Sequence, residues 1–346
     1  MSREEVRRII SSLPLNKSQG PDKIHTRVYR DCLPVILGPL TEIINSSLES
    51  AKYPDAWKFA EVIPLLKEGD HEVASNNRPL SLLAVASKIC DKVVLNQFSA
   101  YLFSNGRLSS HQSGNKKLHS TETLSLFMAD HLLEATDMKN LTALTLLDLS
   151  RAFDSLNHNK LLAKLSSVGA SPHVVNWFKS YLTGRSQSVR INSILSDPLP
   201  ITHGVLQGAI LSPLLFCIYL NDLPCAPQVC GLESYVDDYK VFLSFSLPDV
   251  DTAIANLEQD LLRVAAWCCE NQLLINPDKT KFMLIATRQL RKRFSSSPVV
   301  SFLGKSLEPV PSLKDSGVTL ESHLTYDCHI PTSCPPVWQS YARSID

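Results

Sequence analysis

Glycine is scarce in this chain, with 12 residues against 21 prolines. That excludes a collagen-like repeat and a Gly-rich linker architecture. Net charge is missing as well, because 34 Lys plus Arg balance 34 Asp plus Glu. Any nucleic-acid contact must therefore rest on local sites and not on a generally basic surface. Long apolar runs are also absent. The longest stretch free of Asp, Glu, Lys and Arg, from Pro198 to Asn221, is interrupted by Pro198, Pro200, His203, Gln207, Gly208 and Pro213. A spanning helix needs about 20 mostly apolar residues, so no membrane segment is expected. The N-terminus, MSREEVRRII, lacks the apolar core of a signal peptide. Nine cysteines are present, an odd number, with no C-x-x-C pair and no His pair at zinc-ligand spacing. Reduced thiols in an intracellular setting are expected, with nucleus and cytoplasm not distinguished. No internal repeat is visible.

Hydrophobic residues make up 44% of the chain and charged residues 20%, a globular composition and not a disordered one. The length of 346 residues suits two to three units, or one large unit with subdomains. Ser2 with Glu5 is a capping box, and Val6, Ile9, Ile10 and Leu13 fall on one face of the opening helix. Residues 16–22 read as a loop turning at Gly20-Pro21, followed by helix to about Ser50, broken at Pro34 and Pro39. A strand is expected over Trp57–Leu66, ending in the charged turn Lys67-Glu68-Gly69-Asp70. Helical periodicity covers Ser87–Phe103 and Ser120–Ala135, the second with Leu124, Phe127 and Met128 as a core stripe. Ser171-Pro172 starts a further helix, Val189–Ile191 reads as a strand, and Leu211–Leu220 as a buried helix. Asp249–Cys269 is amphipathic through Ile254, Leu257, Leu261 and Ala265, and short strands follow near Phe282–Ala286 and Leu313–Leu320.

Two carboxylate features stand apart. LTALTLLDL (141–149) is a near-continuous apolar run of strand length, with Asp148 as its single charge near the end. An ionised Asp beside a buried strand is costly unless it is paired or metal-bound. The second feature is Tyr235-Val236-Asp237-Asp238, within a hairpin expected over Glu233–Phe245 with its turn at Asp237-Asp238. With 9 Tyr and 20 Asp, chance gives roughly 0.03 occurrences of Y-x-D-D, so the tetrapeptide is suggestive but not decisive by itself. Carboxylates brought together repel unless a cation offsets them. Their oxygen-only ligand set suits Mg²⁺, and two such ions can support both attacking and leaving oxygens of an in-line phosphoryl displacement.

The neighbours of these features occur as ordered blocks: SQGPDKI (18–24), NNRPLSLL (76–83) followed by Lys88, HQSGNKKLHSTET (111–123), LLDLSRAFDSLNH (146–158), GVLQGAILSPLLF (204–216), YVDD (235–238), NQLLINPDKTKFM (271–283) and LKDSGVTLESHLTYDCHI (313–330). In that order, over about residues 10–330, the chain resembles the reverse transcriptase domain of non-LTR (LINE-type) retrotransposons.

The resemblance implies an α+β fold with the fingers and palm of a right-hand polymerase: a three- or four-stranded antiparallel palm sheet backed by helices, with helical fingers. It divides the chain into fingers over 1–137, with 156–203 returning as fingers and palm helices, and a palm over 138–155 and 204–330 that includes the primer-grip region. The tail 331–346 is expected to be disordered. The implied activity is RNA-directed DNA polymerisation with two Mg²⁺ ions, Mn²⁺ being the alternative. The implied partners are an RNA template, a DNA primer or target, and dNTPs; no oligomeric state follows.

By the same resemblance, Asp148, Asp237 and Asp238 form the catalytic and metal-binding carboxylates, with Asp148 and Asp237 the direct ligands. Phe153 sits at the family's steric gate, where an aromatic ring could exclude a 2′-OH; core packing is its plainer role. Gln207, with Gly208, aligns beside the incoming nucleotide, and its amide can both donate and accept. Arg78 and Lys67 match basic positions that meet the triphosphate, and Arg151 joins the nucleotide-binding set. Lys279 matches the Lys that protonates the pyrophosphate leaving group. The basic stretch Arg288-Gln289-Leu290-Arg291-Lys292-Arg293 reads foremost as a solvated loop.

The chain departs from the family pattern at Asn77 (usually aromatic), Asn115 (usually Phe), and Leu206 and Ala209 (usually Pro and Ser). These suggest relaxed selection or a divergent lineage. Most of the thumb and any endonuclease domain are expected to be missing, as in a reading frame cut from a longer element, which would leave a weak or inactive polymerase. The rival expectations are a catalytically dead remnant or nucleic-acid-binding fragment, and an RNA-templated RNA polymerase on the same palm; Phe153 and Tyr235 speak against the last.

Overall fold

The structure is a computed structural model that describes residues 1–16, 18–114, 119–150, 152–293, 297–315 and 317–325. The expected disordered tail, and Asn115 and Arg151, lie outside the described residues. The chain divides into two compact units, each assembled from two separated segments: Met1–Leu108 with Arg151–Leu220, and Ser109–Ser150 with Asn221–Asp346.

In chain order, the first segment carries α1 (Arg3–Ser12), α2 (Thr26–Asp31), α3 (Leu33–Ser50), β1 (Phe59–Leu66), β2 (Asn77–Leu82) and α4 (Val85–Ser104). The second carries α5 (Thr121–Asp137) and β3 (Leu141–Ser150). The third carries α6 (His158–Ser167), α7 (Pro172–Leu182), β4 (Ser186–Ile191), β5 (Ile194–Leu195), β6 (Leu199–Pro200) and α8 (Ser212–Tyr219). The fourth carries β7 (Gly231–Tyr235), β8 (Asp238–Phe245), α9 (Val250–Glu270), β9 (Leu274–Ile275), β10 (Lys281–Ile285), α10 (Arg288–Arg291), β11 (Val300–Phe302), β12 (Lys305–Leu307), β13 (Ser312–Asp315) and β14 (Val318–Glu321). Local chemistry sets several boundaries. The Ser2 side chain accepts from Glu5 N–H at 3.2 Å to open α1, Ser171 caps α7 with Pro172 at its first position, and Ser120 and Thr123 cap α5 reciprocally.

The first unit packs its helices around a mixed sheet of order β2-β1-β4-β5, with β6 also on β4; β1 runs antiparallel to β2 but parallel to β4. The strands expected at Trp57–Leu66 and Val189–Ile191 form β1 and β4; their parallel pairing joins residues more than a hundred positions apart and lies beyond any local periodicity. Its core buries an acid: Asp91 is fully enclosed and accepts from Tyr53 Oη at 3.3 Å and Tyr181 Oη at 3.4 Å. The Arg185 guanidinium lies over both rings, 4.3 Å from Tyr181 and 5.1 Å from Tyr53. Burial pushes the Asp91 carboxyl up to about 7, with the Arg185 charge and the two phenols working against the shift.

The second unit is built on an antiparallel sheet of order β10-β3-β8-β7, with β9 continuing the edge of β3; α5 and α9 pack against it. One core cluster joins Leu124, Met128 and Leu132 of α5 to Leu144, Phe242, Met283 and Ile285 of the sheet and to Leu313 and Leu320 of the β13–β14 hairpin. Several expectations change in detail. Phe127 is 51% exposed, since the buried stripe of α5 is Leu124, Met128, Leu132 and Ala135. Pro34 sits in the first turn of α3, where no N–H is needed, and Pro39 lies inside an unbroken helix. The buried stripe of α9 runs through Ala253, Leu257, Leu261, Val264 and Cys268, a slight rotation from the one expected. Leu313–Leu320 is a hairpin and not one strand, because Gly317 takes φ 93° and turns the chain. Arg288–Arg291 form a short helix capped by Thr287. Among the described residues no helix is long and apolar enough to cross a membrane, and no disulfide joins two cysteines.

Candidate active site

The site in the second unit follows from strand register. Along β3, side chains alternate between the two faces of the sheet, and the strand is buried up to Thr145 before its exposure begins to alternate. Thr142, a polar residue inside the sheet, is tolerated because it shares a 2.8 Å hydrogen bond with Ser244 across the β3–β8 pair. The pairing runs from Leu141↔Phe245 to Asp148↔Asp238, so these two carboxylates lie directly opposite each other and on one face. Tyr235 of β7 pairs with Asp238 and completes the row. The hairpin turn is Val236-Asp237, one residue earlier than expected, and Asp238 is the first residue of β8. Turn preference alone favours Asp in either place; cross-strand pairing decides it.

Val236 takes φ 56°, a strained conformation for a β-branched residue. The Tyr239 hydroxyl donates to Val236 C=O at 3.1 Å, and the segment His111–Gly114 lies beside the turn. There Ser113 N–H donates to Ser234 C=O at 2.9 Å and Ser234 N–H to His111 C=O at 3.0 Å. A Cβ on Gly114 would stand 2.7 Å from the Val236 backbone nitrogen, so glycine is required for this approach. His111 Nδ1 lies 2.7 Å from Glu233 Oε1 on the same edge.

Burial pushes the Asp238 carboxyl above the usual carboxylate range, and Asp237, Asp315 and Asp148 add to the shift while Lys240 opposes it. The row thus carries negative charge that its surroundings leave under-compensated. Lys279 Nζ lies 3.9 Å from Asp148 Oδ2, with both side chains about half-exposed. Its loop is tied to β3: Asn276 N–H donates to Asp148 C=O at 2.9 Å, and Asn276 C=O accepts from Thr280 N–H at 3.1 Å. Among the described residues no three His, Cys, Asp or Glu side chains converge closely enough to enclose a cation. The donor set is nevertheless all-oxygen, repulsive and partly open, which fits an Mg²⁺ ion that keeps waters and completes its shell with phosphate oxygens.

The remaining candidates belong to the first unit. Phe153, half-buried, stacks on Phe216 with ring centroids 4.4 Å apart. Its carbonyl accepts from Val205 N–H at 2.8 Å, and a Cβ on Gly204 would meet Asp154 C=O at 2.7 Å, so residues 152–154 and 204–205 are in close backbone contact. Gln207 donates from Nε2 to Asp154 Oδ1 at 3.0 Å, and its backbone C=O accepts from Ser81 N–H at 2.7 Å. Asp154 was not among the expected residues; its place six positions after Asp148 was the only signal. Gly208 takes φ 108° and packs on Leu80 and Ser81. Leu206 and Ala209 are buried with Ala60 and Leu83, so both departures from the family pattern serve the core. Arg78 and Lys67 are exposed at the tip of the β1–β2 hairpin, where Lys67 N–H donates to Asn76 C=O at 2.8 Å. Asn77, another departure, donates from Nδ2 to His71 C=O at 2.8 Å and Val73 C=O at 3.0 Å and wires the tip loop.

Comparison with known proteins defines the class. Residues 65–307 match the family described as reverse transcriptase (RNA-dependent DNA polymerase), and the chain belongs to that family. Three Drosophila melanogaster proteins are similar along 94% of the chain. The probable RNA-directed DNA polymerase from transposon BS is 31% identical over 339 residues, and the RNA-directed DNA polymerase from mobile element jockey is 29% identical over 335. The probable RNA-directed DNA polymerase from transposon X-element is 27% identical over 333. The chain spans 36% of the length of each of these relatives.

Proposed function

We propose that the chain is the fingers and palm of an RNA-directed DNA polymerase that extends a primer 3′-OH with dNTPs. The observation that carries this reading is the directly opposed pair Asp148 and Asp238 beside the turn bearing Asp237, in a member of the reverse transcriptase family. Asp148, Asp237 and Asp238 would hold two Mg²⁺ ions, which when bound would lower the barrier to attack on the α-phosphate and support the departing pyrophosphate. Lys279 gives a proton to that leaving group from beside Asp148. Phe153, backed by Phe216, excludes a 2′-OH and so selects deoxynucleotides. Gln207, oriented by Asp154, contacts the nucleotide with its remaining amide capacity, and Gly208 keeps its loop close to β2. Arg78 and Lys67 meet the triphosphate, a planar fork and a point charge at one hairpin tip. Template and primer are gripped through phosphates, so affinity falls as salt rises.

Primer extension on poly-A with an oligo-dT primer, offered dTTP or UTP, tests this reading. Incorporation of dTTP and rejection of UTP are expected. UTP incorporation would make the protein an RNA polymerase, and binding without incorporation would make it an inactive nucleic-acid-binding remnant.

A further inference from the structure

In β8 a lysine sits inside the protein. Lys240 is 0% exposed, two residues after Asp238, and so shares its face of the sheet. Its register partners are Leu146 of β3 and Glu233 of β7. The next row inward is apolar: Leu144 and Phe242 belong to the cluster that also buries Leu313 and Leu320. Lys240 therefore stands between the carboxylate row and the hydrophobic core, where an unpaired ammonium would be prohibitively desolvated. Its counter-ion comes from outside the sheet: Nζ lies 3.0 Å from Oδ2 of Asp315, itself 5% exposed, at the turn end of β13. Among the described residues Nζ meets no acceptor in hydrogen-bond alignment, so the contact is an ion pair held by charge and burial.

The β13–β14 hairpin is attached differently at its other end. There Val310 N–H donates to Phe282 C=O at 2.8 Å, Ser322 N–H to Pro311 C=O at 3.0 Å, and Ala286 N–H to Ser322 C=O at 3.1 Å, so backbone bonds hold it to β10. Leu313 and Leu320 fix the middle through the core. Apolar packing resists separation but resists sliding poorly, because it has no preferred direction. A buried ion pair supplies a point constraint at the turn end, on the side of the sheet that carries Asp148 and Asp238.

We propose that the buried Lys240–Asp315 pair clamps the β13–β14 hairpin to the carboxylate-bearing face of the sheet, and so holds in place the segment that the family resemblance assigns to gripping the primer. The clamp stands on geometry alone; its positioning role rests on the polymerase reading above. Both are positioning residues and touch no reacting atom.

The full chain is compared with Lys240→Met, Asp315→Asn and the double variant Lys240→Met/Asp315→Leu. Hydrogen exchange in β13 and β14 and fluorescence-detected binding of a labelled primer–template are measured first, then primer-extension kinetics. Both single variants should exchange faster in β13 and β14, with β3 and β8 still protected. Both should raise KM for primer–template about tenfold or more and leave KM for dTTP unchanged. The double variant, with an apolar pair replacing the ionic one, should recover thermal stability and much of the hairpin protection. The two single variants remove opposite charges, which makes the alternative distinct. If Lys240 serves only to offset the charge of Asp238, its variant and the Asp315 variant will shift the Mg²⁺ half-saturation in opposite directions with hairpin exchange unchanged. That result overturns the clamp. If the parent chain extends no primer, the polymerase reading fails, and exchange and binding still decide the clamp. Should both single variants fail to fold, the milder Asp315→Glu, which displaces the buried carboxylate by one methylene, decides it: hairpin exchange and KM for primer–template both equal to the parent's overturn the proposal.

Discussion

In the second unit, Asp148 and Asp238 are placed by the register of an antiparallel sheet, fixed along eight consecutive cross-strand pairs. In the first unit, Arg78 and Lys67 sit on an exposed hairpin tip whose loop is held by the amides of Asn76 and Asn77. One arrangement would have to break a sheet in order to move; the other needs only to exchange a few solvent-accessible hydrogen bonds. The comparison teaches that, on the proposed reading, two of the three carboxylates assigned to a cation stand on paired strands with Asp237 on the turn between them, while the groups assigned to a triphosphate stand on a looser hairpin tip.

The largest effect should come from breaking the rigid side. Asp148→Asn or Asp238→Asn should lower primer extension by on the order of 10³-fold, as expected for loss of preorganised charge stabilisation. Asp238→Asn should at the same time raise Tm, because its elevated carboxyl shows that the folded chain disfavours this charge. Extension rates and thermal melts on the same samples check both, and a lower Tm would mean that Asp238 is already compensated. On the adaptable side, Arg78→Ala should raise KM for dNTP by about 10-fold, in line with loss of one charge-assisted contact, with a smaller change in kcat. Asn77→Ala should give a weaker version of the same change; an equal fall in kcat would mean that the tip is as rigid as the sheet. Phe153→Val should reduce discrimination between dNTP and rNTP by about 10-fold or more, and Phe216→Leu should do so to a lesser degree by removing the stack behind the ring. Unchanged discrimination would return Phe153 to the core.

The smallest effect on activity, and a distinct one on stability, should follow Asp91→Asn in the first unit. The folded carboxyl titrates at about 7 against 3.8 in the ordinary state, so the folded chain holds this proton more tightly than the unfolded one. The stability it contributes is full below about pH 4 and is lost as pH rises through about 7, amounting to a few kcal/mol at most. Denaturant melts from pH 4 to 8 should show the parent losing stability relative to Asp91→Asn across that window. Parallel curves would mean that Arg185 keeps Asp91 ionised.

The sequence made the carboxylates legible because each sat where its surroundings were otherwise apolar or turn-forming. A nine-residue strand with one charge, and Y-x-D-D, need no tertiary knowledge. The assignment of Asp238 to the strand and not the turn did, because both placements suit Asp and only pairing with Asp148 separates them. Phe127 was misjudged for a related reason: its spacing from Leu124 fits a helical stripe, but the angular edge of a buried face depends on what covers it. The parallel β1–β4 pair and the role of Asp154 were invisible because their partners are distant or irregular in sequence. Lys240 carries a local signal of its own, a lone cation inside the apolar strand YKVFLSF, but its partner Asp315 is 75 residues away.

The interleaving of the two units bears on how the chain is made. Residues 1–108 cannot complete their sheet until β4 has been synthesised, and the segment between them belongs to the other unit. At ~5–20 residues per second, the wait from the end of the first segment to the end of the third is roughly 6 to 20 s. During that interval β1, with Ala60 and Val62 destined for burial, has β2 on one side and an open edge on the other. An unpaired apolar edge at the ribosome is a template for wrong partners, whether a neighbouring nascent chain or a slipped copy of the same strand. Yield on expression should then depend on translation speed between codons 109 and 220 and on chaperone supply, quite apart from the stability of the finished fold.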